Sequence, residues 1–230
     1  MMLSADESAA ILLSLKVACW SVVLSLPLGY AVAWLLARRH FRGKTLVDAI
    51  VHLPLVLPPV VIGFFLLAAF GRNGVIGAWL ESWFGVSFAF RWTGAALASA
   101  IMGFPLLVRA IRLSLSEIDA RLETAARTLG ASPLRVFATI TLPLSLPGVI
   151  AGAMLAFARS LGEFGATITF VSNIPGQTQT LPLAIYNLTQ VPGGDAVAWK
   201  LSIVAVLLSI AALATSEWLV RKATVRRNHA

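Results

Sequence analysis

Apolar positions fall into five long runs along the chain, separated by shorter polar stretches. The first, Val17–Ala37, holds 21 residues without a charge. As a helix it is about 31 Å long, enough to cross a bilayer core. It stops at Arg38, Arg39, Arg42 and Lys44. The second, Ala49–Phe70, lacks Asp, Glu, Lys and Arg but contains Pro54, Pro58 and Pro59. Proline frees backbone carbonyls inside a membrane helix, so this run predicts a kinked or broken helix packed against neighbours. The third begins at Thr93 and carries Pro105 before Arg109 and Arg112. The fourth starts near Leu144 and meets Arg159; the fifth is Leu201–Ser216. With flanking residues included, spans are expected at 11–37, 47–70, 92–116, 144–171 and 199–220. The expected architecture is an all-α membrane protein, one transmembrane domain over 1–230.

Composition agrees with that pattern. Of 230 residues, 58% are hydrophobic and 12% charged, with a mean hydropathy of +0.85. A water-soluble domain carries about 25% charged residues, so no soluble surface can be built from this mix. Cys19 is the one cysteine, which excludes a disulfide framework, and His40, His52 and His229 are too scattered for a metal site. The segment Met1–Ala10 has Asp6 and Glu7 and no basic residue, so no cleavable signal peptide is expected there.

The net charge of +8 is explained by topology rather than by nucleic acid. With the N-terminus outside, 13 of the 18 basic residues fall on inner segments: after the first span, between Arg109 and Arg135, and from Arg221 to Arg227. Lys16, Arg72, Arg91 and Lys200 fall outside. The reverse orientation would violate the positive-inside bias, so the C-terminus is expected inside. Arg221, Lys222, Arg226 and Arg227 read as an anchor at the anionic inner surface.

Two outer stretches are more than loops. Residues 71–92 carry Trp79, Trp83, Phe84, Phe88, Phe90 and Trp92, the aromatic density of a membrane–water interface. Residues 164–194 contain no charge but are interrupted by Pro175, Pro182, Pro192 and several glycines. Such a segment is expected to dip into the membrane or line a cavity, where irregular backbone is tolerated.

The inner connection, 117–143, is the most informative stretch. Asp119 is placed to cap a helix and Gly130 to end it in the left-handed region. Between them Leu122, Ala125, Ala126 and Leu129 form one apolar stripe. Ser132 and Pro133 then restart a helix as cap and first residue, and Leu142–Pro143 leads back to the membrane. This helix–Gly–helix hairpin either rests on its own bundle or inserts into a groove of another protein.

The same stretch, LETAARTLGASPLRVFATITLPLSLPG, resembles the EAA loop of ABC-importer permeases, whose pattern is E-A-A, three residues, G, nine residues, I-x-L-P. Ala125, Ala126, Gly130, Ile140, Leu142 and Pro143 match; Thr124 stands at the glutamate position and Glu123 one residue before it. HFRGKTLVDAIVHLPLVLPPVVIGF and FARSLGEFGATITFVSNIPGQTQTLP extend the resemblance, over about residues 10–220, to molybdate and sulfate permeases. It implies a type I importer fold in the bacterial inner membrane and a homodimeric pore. It also implies a cytoplasmic ATPase dimer that uses ATP and magnesium, and a periplasmic molybdate-binding protein. Glu123, Ala125, Ala126, Gly130, Ile140, Leu142 and Pro143 would then couple the pore to the ATPase. No cofactor is expected on this chain, and without a G-x-x-x-x-G-K-[ST] loop it is not expected to hydrolyse ATP.

Within the membrane runs the charges are Arg159 and Glu163, at i and i+4. With Gly162, Phe164 and Gly165 they are candidates for the anion pathway or its gate, or for a structural pair locking the fourth span. His52 reads as a packed helix residue, and no role is assigned to Asp48. The competing classes are a sulfate- or thiosulfate-type permease, a secondary transporter or channel, and a membrane-embedded enzyme. Internal repeats and a catalytic constellation, which the last two would show, are absent from the sequence.

Overall fold

The computed structural model describes residues 4–228, with side chains to Lys222. Met1, His229 and the side chains of Arg226 and Arg227 lie outside the described residues. The elements are α1 (Ala5–Arg38), α2 (Lys44–Val56), α3 (Pro59–Phe70), α4 (Val75–Phe84), α5 (Trp92–Ser116), α6 (Ala120–Thr128) and α7 (Pro133–Val136). A π-helical turn (Phe137–Thr141) follows, then α8 (Leu142–Leu161), α9 (Gly165–Val171), α10 (Leu181–Thr189) and α11 (Asp195–Asn228). Among the described residues, four helical stretches are long and apolar enough to cross a membrane, and the bent pair α2–α3 makes a fifth crossing if taken as one span.

Helix α1 starts earlier than the apolar run because its first turn is capped. Ser4 Oγ accepts from the Glu7 amide at 3.3 Å, and Glu7 Oε2 accepts from the Ser4 amide at 2.9 Å. Acidic residues are favourable against the helix dipole there. Lys200 Nζ lies 2.5 Å from Glu7 Oε2 and ties α11 to the same end.

The second span is broken, as its prolines predict: α2 and α3 meet at 111° across Leu57–Pro58. The fourth span differs from the expected 144–171. Helix runs without interruption from Pro133 to Leu161, stops, and resumes as α9. Pro143 does not break it. The proline ring lacks an N–H and crowds the preceding turn, and one wider π turn absorbs it, with the Leu142 amide bonded to the Phe137 carbonyl. The second half of the expected inner loop is thus the start of the span itself. The fifth span, expected over 199–220, lies within a helix that begins at Asp195.

Helices α1, α5 and α8 pack side by side as the centre of the bundle. Between apolar helices in lipid the hydrophobic effect offers no driving force, so close packing and hydrogen bonds must supply it. Gly148, Gly152 and Ala156 make one face of α8 flat against α5. A Cβ added at Gly152 would lie 2.9 Å from the Leu107 carbonyl oxygen, and one at Gly148 would overlap the Ser114 side chain. Ser21 and Ser160 hydroxyls bond at 2.9 Å, and Tyr30 and Ser145 hydroxyls at 3.0 Å, joining α1 to α8.

The segment 164–194 is two short helices joined by a stitched loop. Thr178 Oγ1 accepts from the Ile174 amide at 2.9 Å and donates to the Ser172 carbonyl at 3.1 Å. Ser14 Oγ of α1 accepts from the Leu181 amide at 2.6 Å, capping α10. Helix α4 leaves Trp79, Trp83 and Phe84 exposed, as an interfacial helix does. Nearby Lys16 stacks 3.8 Å above the Trp92 ring.

Candidate functional site

The inner hairpin is built by local capping. Asp119 Oδ1 accepts from the Arg121 amide at 2.8 Å, and Ser132 Oγ from the Arg135 amide at 3.3 Å. At the turn Gly130 has φ +86°, which L side chains adopt at a cost. The Ala131 amide reaches the Ala126 carbonyl at 3.0 Å and the Gly130 amide the Arg127 carbonyl at 3.0 Å, the paired bonds of a Schellman motif.

No residue of α6 is buried. Leu129 is 88% exposed, Leu134 76% and Leu122 50%. The apolar stripe therefore does not rest on the chain's own bundle; it presents an open face, with Ala125 exposed and Ala126 half-buried beside it. Ile140 and Leu142 are half-buried on the helix entering the membrane, with Pro143 exposed there.

Glu123 points the other way. Its Oε1 accepts from Arg38 Nη2 at 3.0 Å and from Thr141 Oγ1 at 2.9 Å. It binds the last turn of α1 and the π turn to the back of the hairpin. Thr124 Oγ1 donates to its own helix, at the Ala120 carbonyl, 3.0 Å away. The acidic residue at this site is a brace behind the open face.

The second candidate cluster lies where α8 stops. Arg159 Nη1 is 2.6 Å from Glu163 Oε2, and the Glu163 side chain is 1% exposed. Glu163 Oε1 also accepts from the Ala166 amide at 2.9 Å, capping α9. Phe164 packs on Tyr186, ring centroids 5.0 Å apart. The break meets the other broken span. A Cβ at Gly165 would come within 2.8 Å of Pro59 Cβ, and one at Gly63 within 2.6 Å of the Ala166 carbonyl oxygen. Gly165 is thus required by close approach. Gly162 is not: a Cβ there meets nothing within 4 Å.

Sequence reasoning left out three features. The Gly148–Gly152–Ala156 seam was readable as small residues every fourth position. Ser14 as the cap of α10 had no local signal. Asp48, for which no role is assigned above, pairs with Arg112 at 2.7 Å.

A bundle of apolar helices, with one span bent at its middle and touching the end of α8, and with a braced hairpin at one end, is the architecture of a multi-pass membrane domain. The comparisons agree. A family model described as binding-protein-dependent transport system inner membrane component matches residues 25–225. The chain belongs to that family, a multi-pass component of the inner membrane.

The chain is 62% identical over 216 residues, 94% of each chain, to the molybdenum transport system permease protein ModB of Haemophilus influenzae. It is 60% identical over 221 residues, 96% of each, to the protein of that name from Escherichia coli K12. A probable sulfate transport system permease protein cysT of Helicosporidium is 40% identical over 169 residues, 74% of this chain and 62% of that one.

Among solved structures, a chain of a bacterial alginate ABC transporter, in complex with an alginate pentasaccharide-bound periplasmic protein, superposes with TM-score 0.74 at 18% identity. It covers 96% of this chain and 80% of that one. A chain of the MetNI methionine ABC transporter gives 0.68 at 17%, covering 95% and 94%. These two likenesses define the fold, that of type I ABC-importer permeases.

Proposed function

We propose that this chain is the pore subunit of an ATP-driven importer that moves molybdate, or the similarly sized tungstate, into the cytoplasm. It works as a pair of copies, above a cytoplasmic ATPase dimer and below a periplasmic binding protein. The observation that carries the coupling role is the braced hairpin with an unpartnered apolar face, Leu122, Leu129 and Leu134 outward and Glu123 bonded inward. An apolar helical face of this kind fits a groove on a partner. ATP and magnesium belong to the ATPase in this scheme, and this chain binds neither.

The geometry supports a route for the motion. Displacement of the hairpin acts on α1 through Glu123–Arg38 and on α8 through the unbroken helix from Pro133. Helix α8 ends at Arg159–Glu163, where α9 leans on Pro59 of the other broken span. Arg159, 28% exposed on its side chain, remains open enough to meet an anion, and the breaks offer the points at which the path opens or closes.

The test is ATP hydrolysis by the permease–ATPase complex in liposomes, with the binding protein carrying molybdate or sulfate. Stimulation by the molybdate form alone supports the proposal. Equal stimulation by both favours a broader oxyanion importer, the reading that the sulfate-permease relative favours. No stimulation by either, from an intact complex, overturns the coupling role.

A further inference from the structure

A second charged cluster stands at the inner end of the α2–α5 seam, and the transport route above does not use it. Asp48 and His52 on α2 face Arg109, Arg112 and Ser116 on α5 across a cleft of about 440 Å³. Arg112 Nη1 bonds Asp48 Oδ1 at 2.7 Å. His52 Nδ1 lies 2.8 Å from the Asp48 carbonyl oxygen. A carbonyl only accepts, so Nδ1 donates to it, and the same nitrogen lies 3.4 Å from Asp48 Oδ1. The Ser116 hydroxyl is used on the Arg112 carbonyl at 2.9 Å. Arg109 is exposed and makes no ion pair among the described residues. One carboxylate thus faces two guanidiniums, and the cleft keeps an uncompensated positive charge.

Its depth matters. Arg109 is 17 residues beyond Trp92 on α5, about 26 Å along a helix whose start carries the outer aromatic contact. That places the cleft at the inner boundary of a hydrocarbon core about 30 Å thick. Topology accounts for basic residues at this end. It does not account for an open cleft in which a carboxylate engages one arginine and leaves its neighbour free.

We propose that this cleft is a binding site for a tetrahedral oxyanion. Arg109 and the free edge of Arg112 are the donors, and Asp48 is the counter-charge. Two guanidiniums three residues apart on one helix face match the oxygens of such an anion with charge-assisted, forked hydrogen bonds. Asp48 keeps occupancy weak by competing for Arg112. Two sources share this chemistry: the free dianion at the inner mouth, and the phosphodiester headgroup of an anionic lipid. The first source rests on the importer reading; the second does not.

The experiment uses the complete permease–ATPase complex in nanodiscs, without binding protein. One arm measures labelled molybdate binding in phosphatidylcholine alone. The other measures the thermal midpoint with and without added phosphatidylglycerol. For the free anion, R109Q weakens molybdate binding about tenfold, the worth of a hydrogen bond to a charged group. R109K recovers part of it, and D48N shifts affinity the opposite way by freeing Arg112.

If the lipid is the occupant, phosphatidylglycerol raises the wild-type midpoint, R109Q abolishes that rise, and molybdate gives no signal. The proposal is overturned if neither arm responds to R109Q or D48N in assembled complexes. Failure of the importer reading is recognised separately, as wild-type ATP hydrolysis that ignores molybdate-loaded binding protein.

Discussion

Gly148 and Gly162 stand fourteen positions apart on one chain and answer to different constraints. Gly148 is where α8 touches Ser114 of α5, so a methyl group there must displace a packed helix. Gly148→Ala is expected to cost about 1–3 kcal/mol, the penalty of overpacking, while Gly162→Ala stays within about 0.5 kcal/mol. Thermal unfolding in detergent separates the two. Glu163 does two jobs at once, holding Arg159 and capping α9. Glu163→Gln keeps an acceptor for the Ala166 amide and loses the ion pair, for an expected loss of about 1–3 kcal/mol. In an Arg159→Met background the same substitution should cost clearly less; equal losses would show that the pair does not couple.

The hairpin shows what sequence patterns reveal and where they stop. Both caps and the left-handed Gly130 follow from residue type and spacing, because the chemistry that decides them lies within four residues. That the apolar stripe faces outward was not legible: amphipathic spacing says that a face is covered, not by what. The continuity of the helix through Pro143 was not legible for a related reason. A proline signals a break, yet a helix can widen by one residue and continue, and here the π turn is held by Thr141 on Glu123 and by Phe137 against Tyr30, contacts that lie far away in sequence. Leu129→Glu on the open face is expected to abolish copurification of the ATPase with little effect on the thermal midpoint of the permease alone. Retention of the ATPase would remove the face from the coupling scheme.

Across the bundle, spans were legible because hydrocarbon demands long apolar helices, whereas the contacts between them were not. The 111° turn at Leu57–Pro58 and the approach of Gly165 to Pro59 depend on residues about a hundred positions apart in sequence. Prolines marked the break in the second span; the stop of α8 before Gly165, inside the expected 144–171, and the meeting of the two were not legible. A disulfide reports on it directly. With Cys19 replaced by serine, Pro59→Cys and Gly165→Cys bring two thiols within reach after a shift of about 1 Å, since bonded cysteines hold their Cβ atoms about 3.8 Å apart. Oxidation is expected to arrest transport and reductant to restore it. Full transport by the cross-linked protein would mean that the two breaks move together as one body.

The cap that Ser14 places on the Leu181 amide spans 167 positions of sequence. During synthesis α1 is made long before α10, so this cap cannot form until α2 through α9 have been made. Helix α1 is the surface that α5, α8 and α10, all made after it, share in the folded chain. Ser14, Ser21 and Tyr30 are thus polar partners that α1 holds for helices made after it, α10 and α8.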